Sequence, residues 1–215
     1  MSDPEVVSVP VTTHGRVLVR RAQAQSSRGI LAGFHGYMEN AEIQLARLEQ
    51  IPGFAAWTLV SIQALHRFYR GRSQEVVASW MTRQDREAAI ADNVEYVNAA
   101  IATVDEAGLL PIVYIGFSQG VAMAFRSAVH AARRAAGVMA VGGDVPPELL
   151  ADASASFPRV LLARGTTDEW YTAAKLAGDV AALRQRGVEV EELTYQGGHE
   201  WTEAVAQAAA AWLAI

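Results

Sequence analysis

Pro111-Ile-Val-Tyr-Ile115 runs straight into Gly116-Phe-Ser-Gln-Gly120, which opens onto the alanine-rich stretch Ser118 to Arg134. The first segment is a short apolar burst of the kind a buried strand needs, and the last has helical composition. A G-x-S-x-G motif requires a strand before it and a helix after it, and both are predicted here. The reason is steric. Ser118 must sit on a very tight strand-to-helix turn, where a side chain on either flank would collide with the neighbouring strand or helix, and Gly116 and Gly120 remove those side chains. The turn lifts the Ser118 hydroxyl above the sheet at a helix N-terminus, where backbone N–H groups and the helix dipole favour a developing anion. Without its flanks the same serine would read as a helix N-cap. With them, Ser118 reads as a nucleophile.

Outward from this junction the chain repeats the pattern. Apolar bursts fall at Gly29–Phe34, Ala56–Ile62, Pro111–Ile115, Gly137–Val141, Arg159–Ala163 and Val188–Leu193, and five of the six read as strands buried on both faces, the mark of a parallel sheet. Helical stretches alternate with them. Ile90, Val94, Val97, Ile101 and Val104 are spaced by four, three, four and three residues, one face of a helix between Asp85 and Gly108. Thr172 to Arg186 reads likewise, and Ala204–Ile215 reads as a packed terminal helix too short and too rich in alanine to cross a bilayer. Alternation of strand and helix predicts a doubly wound α/β fold, with residues 1–215 forming one domain. Two β-branched runs, Val6–Val11 and Arg16–Arg20, flank a His14-Gly15 turn and predict an antiparallel hairpin at a sheet edge, where Pro10 is tolerated.

Composition narrows the function. The 215 residues are 51% hydrophobic and 19% charged, with 18 basic against 23 acidic side chains and no cysteine. A net charge of −5 without a basic stripe argues against nucleic acid as a partner. The absence of cysteine excludes disulfides, a thiolate nucleophile and sulfur-based metal sites. The histidines are scattered, there is no H-E-x-x-H, and Gly142-Gly143 lacks the lysine and spacing of a phosphate loop, so no metal or other cofactor is expected. The N-terminus has neither the basic nor the apolar region of a secretory signal, which predicts a cytoplasmic protein without a membrane span.

A serine hydroxyl needs a base. His199, in Tyr195-Gln-Gly-Gly-His-Glu-Trp201, lies in a glycine-flanked loop after the last predicted strand, the one of five histidines so placed; the alternative is a surface-loop histidine. The base needs a carboxylate to fix its tautomer and stabilise its cation. Asp168 supplies one just past the Arg159–Ala163 strand, giving the chain order Ser118, Asp168, His199 expected of α/β-hydrolases. Asp144, in Val141-Gly-Gly-Asp-Val-Pro-Pro147, is the rival acid, better read as a turn residue at the pocket rim. The Tyr37 amide, in the turn of Phe34-His-Gly-Tyr-Met38, and the Gln119 amide are the candidate oxyanion donors. His35 beside them reads as a brace for that loop, with proton transfer as the alternative.

His35-Gly36, Gly116–Gly120, the Gly165–Asp168 turn and Gly197-Gly-His199 together resemble the compact phospholipase/carboxylesterase branch of the α/β-hydrolases, which includes acyl-protein thioesterases and small bacterial carboxylesterases. The resemblance runs from about Gly29 to the C-terminus. It departs from the family at Val121, where a second glycine is common, and at Arg164, where a histidine commonly precedes the glycine. The resemblance implies a mostly parallel sheet with helices on both faces, no large cap domain, and a triad that falls on Ser118, Asp168 and His199.

Gln63–Trp80 leaves a strand's carboxyl end carrying His66, Phe68, Tyr69 and Trp80 with three arginines. It reads either as a covering connection or as a pocket wall, since ligands of open α/β sheets bind outside the carboxyl ends of strands. The candidate pocket residues are therefore His35, His66, Tyr69, Trp80, Asp144 and Trp170. The leading function is a serine hydrolase acting on small-molecule carboxylic esters, with thioesters as a second substrate class, through an acyl-enzyme. The alternatives are a non-catalytic binding protein and a peptidase or amidase on the same fold.

Overall fold

The computed structural model describes residues 3–23, 27–130 and 132–214. Seven strands form one sheet: β1 (Arg16–Arg20), β2 (Ile30–Phe34), β3 (Thr58–Gln63), β6 (Ile112–Phe117), β7 (Gly137–Val141), β8 (Arg159–Gly165) and β9 (Val190–Tyr195), with β4 (His66–Tyr69) and β5 (Val76–Ser79) making a separate antiparallel ribbon. Their order is β1-β3-β2-β6-β7-β8-β9. All neighbours are parallel except β1 against β3.

Both faces of the central strands are dry, and the strand period of two explains how. In β2 and β6, Ile30, Ala32, Phe34, Ile112 and Tyr114 join one core with α2 (Arg86–Val104), α3 (Gln119–His130) and α5 (Ala173–Gln185). Leu31, Val113, Ile115 and Phe117 join the other core, with α1 (Ala41–Glu49) and α6 (Glu203–Leu213). A short α4 (Pro147–Ala151) follows β7. Among the described residues no helix is long and apolar enough to cross a membrane. The helix ends obey local chemistry: Asn40, Thr172 and Thr202 each accept from a backbone N–H in the first turn of the helix they cap.

From β2 the chain steps outward to β3, then returns to place β6 on the other side of β2. The strand order thus reverses between β2 and β6, and the crevice outside their carboxyl ends is where such a sheet binds ligands. The loop holding Tyr37 leaves β2 there, and Ser118 leaves β6.

Two expectations are corrected. The hairpin does not form: residues 3–15 adopt no strand, Val6 to Val11 are exposed, and β1 pairs with β3 instead. A β-branched run without a partner strand has nothing to pair with, whatever its propensity. Trp80, expected at a pocket wall, is wholly buried. It packs edge-on against Phe34 at 5.4 Å and its indole Nε1 donates to the His35 carbonyl at 2.8 Å, so it is a core residue under the β2 loop. Trp80→Ala is therefore expected to cost about 3–5 kcal/mol of unfolding free energy, measured by denaturant titration.

Candidate functional site

Ser118 is held in an unusual backbone conformation, with φ at 53°. Its N–H donates to the Val141 carbonyl at 2.9 Å, and its carbonyl accepts from Val121 at 3.0 Å. The flanking glycines are required by contact. A Cβ on Gly116 would lie 2.5 Å from the Gly120 carbonyl oxygen, and one on Gly120 would lie 2.2 Å from that of Phe34. The second contact shows that the start of α3 is pressed against the end of β2.

His199 Nε2 lies 2.8 Å from Ser118 Oγ, and its Nδ1 lies 2.9 Å from Asp168 Oδ2. A carboxylate can only accept, so Nδ1 carries the proton and Nε2 offers its lone pair to the serine hydroxyl. Asp168 is buried, and its other oxygen accepts from the Trp170 and Tyr171 amides at 2.8 and 2.9 Å. The imidazole packs beside Phe117, with ring centres 5.2 Å apart. Three strand ends supply this chain of groups: β6 gives Ser118, β8 leads to Asp168 and β9 to His199. At Gly165 a Cβ would meet the Gly198 carbonyl oxygen at 2.2 Å, so the acid's loop and the histidine's loop can approach this closely only with glycine there. Arg164 is buried and donates to the Tyr171 and Thr166 carbonyls, tying both ends of the Asp168 loop.

Asp144 lies elsewhere. It pairs with Lys175 at 2.9 Å, half-exposed at the rim. Its loop is tied to that of Asp168 through Asp179, which accepts from Val145 N–H and the Tyr171 hydroxyl. Burial holds the Asp179 carboxyl above its ordinary value despite both donors.

The Tyr37 loop is fixed from several sides. Glu39 accepts from the Gly36 N–H at 2.7 Å and from both terminal nitrogens of Arg47 at 2.6 and 2.7 Å. Burial works against the Glu39 charge, yet Arg47 and the Gly36 amide hold its carboxyl below the usual range. From the ribbon, Arg70 donates to the Met38 carbonyl, and the Met38 N–H donates to Ala78. Among the described residues, neither the Tyr37 nor the Gln119 N–H donates to another protein group. The Gln119 side chain is engaged instead with Ser79, the Trp80 N–H and the Met81 carbonyl.

Two openings flank His199. One, of about 650 Å³, is lined by Ser118, Gln119, Ala122, Asp144, Trp170 and a row of basic residues. The other, of about 440 Å³, lies against Arg47, Phe117 and Trp201. Of the expected pocket residues, Asp144 and Trp170 line the first, with Trp170 standing exposed at its edge. His35, His66, Tyr69 and Trp80 line neither. Within the Gln63–Trp80 segment, His66–Ser79 folds as the β4–β5 ribbon, whose outward-facing His66 and Tyr69 are exposed while its backbone braces the Tyr37 loop. Sequence reasoning missed Met81, Arg86 and Arg126 at the first opening, although Ala122 and Arg126 follow Ser118 at steps of four on one helix face.

The model of the phospholipase/carboxylesterase family matches residues 75–215, more than half of the chain. No curated protein sequence matches it significantly. Among solved structures, esterase PE8 is similar over 94% of this chain and 99% of its own, at 23% identity and a TM-score of 0.75. The acyl-protein thioesterase 2 of Zea mays is similar over 94% and 98% respectively, at 19% identity and 0.75. The Bacillus cereus carboxylesterase covers 92% of each chain, at 18% identity and 0.69.

His35 illustrates how the loops are locked. Its Nδ1 lies 2.7 Å from the Gly36 carbonyl and so donates, and its Nε2 accepts from the Ala64 N–H at 3.1 Å. The ring is therefore neutral and bridges the ends of β2 and β3. Burial pushes its pKa below the ordinary histidine value of 6.5, against the opposing pull of the Gly36 carbonyl and Glu39. The unfolded chain then binds the proton more readily than the folded one. The stability this residue contributes is full above pH 6.5 and lost as pH falls below it. Unfolding free energy is expected to fall between pH 7 and pH 5 more steeply in the wild type than in His35→Gln, as read by denaturant titration at each pH.

Proposed function

The chain belongs to the phospholipase/carboxylesterase family and is a hydrolase of carboxylesterase type, and from that premise we propose that it cleaves small-molecule carboxylic esters, with thioesters as a second class, through an acyl-serine intermediate on Ser118. The observation that carries this reading is the unbroken hydrogen-bond chain from Ser118 Oγ through His199 to Asp168, assembled at the carboxyl ends of β6, β8 and β9.

Ser118 Oγ attacks the carbonyl carbon as its proton passes to His199 Nε2, and the carbonyl π pair moves onto oxygen. The resulting oxyanion accepts from the Tyr37 and Gln119 amides, neither of which donates to another protein group among the described residues. The imidazolium is stabilised by Asp168, whose own two backbone donors keep it in place. Collapse expels the alcohol or thiol, which takes the proton from Nε2. Water then repeats the sequence on the acyl-enzyme, with His199 again as base, releasing the acid and restoring the serine. Pre-set donors matter most here, because they need no rearrangement when the charge develops.

Two variants test the assignments. Ser118→Ala is expected to abolish turnover of short-chain p-nitrophenyl esters while leaving thermal unfolding near that of the wild type, since only a hydroxyl is removed. Retained turnover would overturn the nucleophile. Asp168→Asn keeps shape but lets the amide favour the wrong histidine tautomer, an exchange that lowers kcat about 10⁴-fold in a serine protease. Asp168→Asn is therefore expected to reduce kcat by several orders of magnitude and Asp144→Asn by far less; the opposite ranking would move the acid to Asp144.

A further inference from the structure

The larger opening carries an excess of positive charge that the hydrolytic groups do not use. Arg83, Arg86, Arg126 and Lys175 all line it. Lys175 is neutralised by Asp144, and Arg86 and Arg126 share the single carboxylate of Glu148. Arg83 forms no ion pair among the described residues. Of these four cations, two are left over when Asp144 and Glu148 are counted.

Arg126 is the most telling of them, because it is only 1% exposed. Its Nε and one terminal nitrogen reach Glu148, but the other terminal nitrogen has only the thioether sulfur of Met81, at 3.3 Å. Arg86 points a nitrogen at the same sulfur, at 3.1 Å. A thioether is a weak acceptor, and a guanidinium always carries its charge. Two guanidinium groups thus converge on one sulfur and one carboxylate at the wall of a cavity, where a buried charge without a full set of acceptors is costly. Ser118, Ala122 and Arg126 stand at successive steps of four along one face, and all three line the opening. Two helical turns between Ser118 and Arg126 span roughly 12 Å. An arginine side chain leans back toward the helix N-terminus, which shortens that gap by several ångströms. Ala122, with its small side chain, leaves the space between them open.

Resting on the serine-esterase reading, we infer that the preferred substrate is an ester bearing an anionic oxygen group, a carboxylate above all, a few bonds from the reacting carbonyl, with Arg126, Arg86 and Arg83 as its specificity-determining contacts. The anion supplies the acceptor that Met81 does not, and relieves the repulsion between Arg86 and Arg126. Its position in the acyl or the alcohol part follows from which part of the ester enters this opening.

The test is a ratio of kcat/KM values at low salt. In the acyl arm, the p-nitrophenyl half-ester of adipic acid is compared with p-nitrophenyl hexanoate. In the alcohol arm, the butyrate ester of 4-hydroxybenzoate is compared with phenyl butyrate. One arm is expected to favour the anionic ester by about tenfold or more, the scale of a charge-assisted hydrogen bond. That ratio should fall about tenfold in Arg126→Met, severalfold in Arg83→Gln and Arg86→Gln, and with rising salt in the wild type. Arg83 and Arg86 are at the surface, so their variants keep the test valid if Arg126→Met does not fold. Ratios near or below one in both arms, or ratios unmoved by all three variants, overturn the inference. If the neutral esters are hydrolysed in a Ser118-dependent way in that case, the serine-esterase reading stands and only the anion preference falls. If wild-type enzyme hydrolyses none of the four, both readings fall together.

Discussion

Ser118 occupies a left-handed backbone conformation that an L-residue with a side chain adopts at a cost of about 1–3 kcal/mol. Strain of this size persists only where the surroundings leave no alternative. Here β6 delivers the chain from one side, and α3 must begin at once to cover the sheet. Val141 fixes the serine amide, and the end of β2 presses on Gly120. The serine hydroxyl is thereby raised clear of the sheet, at the point where the strand order reverses between β2 and β6. The positions of the other groups follow from this turn, because each arrives on the end of a parallel strand whose register relative to β6 is set by the sheet.

Around that turn the loops are braced through their backbones, which leaves the Ser118 and His199 side chains free of structural duties. Glu39 and Arg47 clamp the Tyr37 loop from α1, His35 ties it to β3, and the β4–β5 ribbon holds it from outside. Arg164 and Tyr171 do the same for Asp168. Apart from their bond to each other, Ser118 Oγ and His199 are held, among the described residues, by nothing stronger than the Asp168 contact and the Phe117 ring. Such a division suits the proposed mechanism, in which Ser118 and His199 exchange a proton twice per turnover while the Tyr37 and Gln119 amides stay still.

The parallel sheet was legible because strands buried on both faces leave continuous apolar runs: all six bursts from Gly29 to Leu193 form strands, within two residues at each end. Helices α2, α3 and α5 were legible from their spacing and composition, and α5 from its Arg186-Gly187 end as well, but α2 stops at Val104, short of Gly108, and α3 at His130, short of Arg134. Elements whose form depends on distant partners were not. Val6–Val11 has the composition of a strand but no neighbour, and the charged β4–β5 ribbon has neither a continuous apolar run nor a signature turn. For the site, Ser118, His199 and Asp168 could be picked out because each follows a strand in an order that few arrangements share. Rings carried no such information: Trp80 is core and Tyr69 is surface, and their residue types alone cannot distinguish either from a pocket wall. Arg126 was within reach from its eight-residue step after Ser118, but a lone arginine on an amphipathic helix reads first as a surface residue, and its burial comes from Glu148 and Met81, which sequence spacing does not bring to it.

In the proposed mechanism His199 activates Ser118 as a nucleophile. A fluorophosphonate reacts covalently only with a serine so activated, and peptide mass spectrometry after labelling locates the adduct. One phosphonyl group on the peptide containing Ser118, absent when His199 is replaced by alanine, is the predicted result. An unlabelled chain, or an adduct on any other residue, would contradict the account.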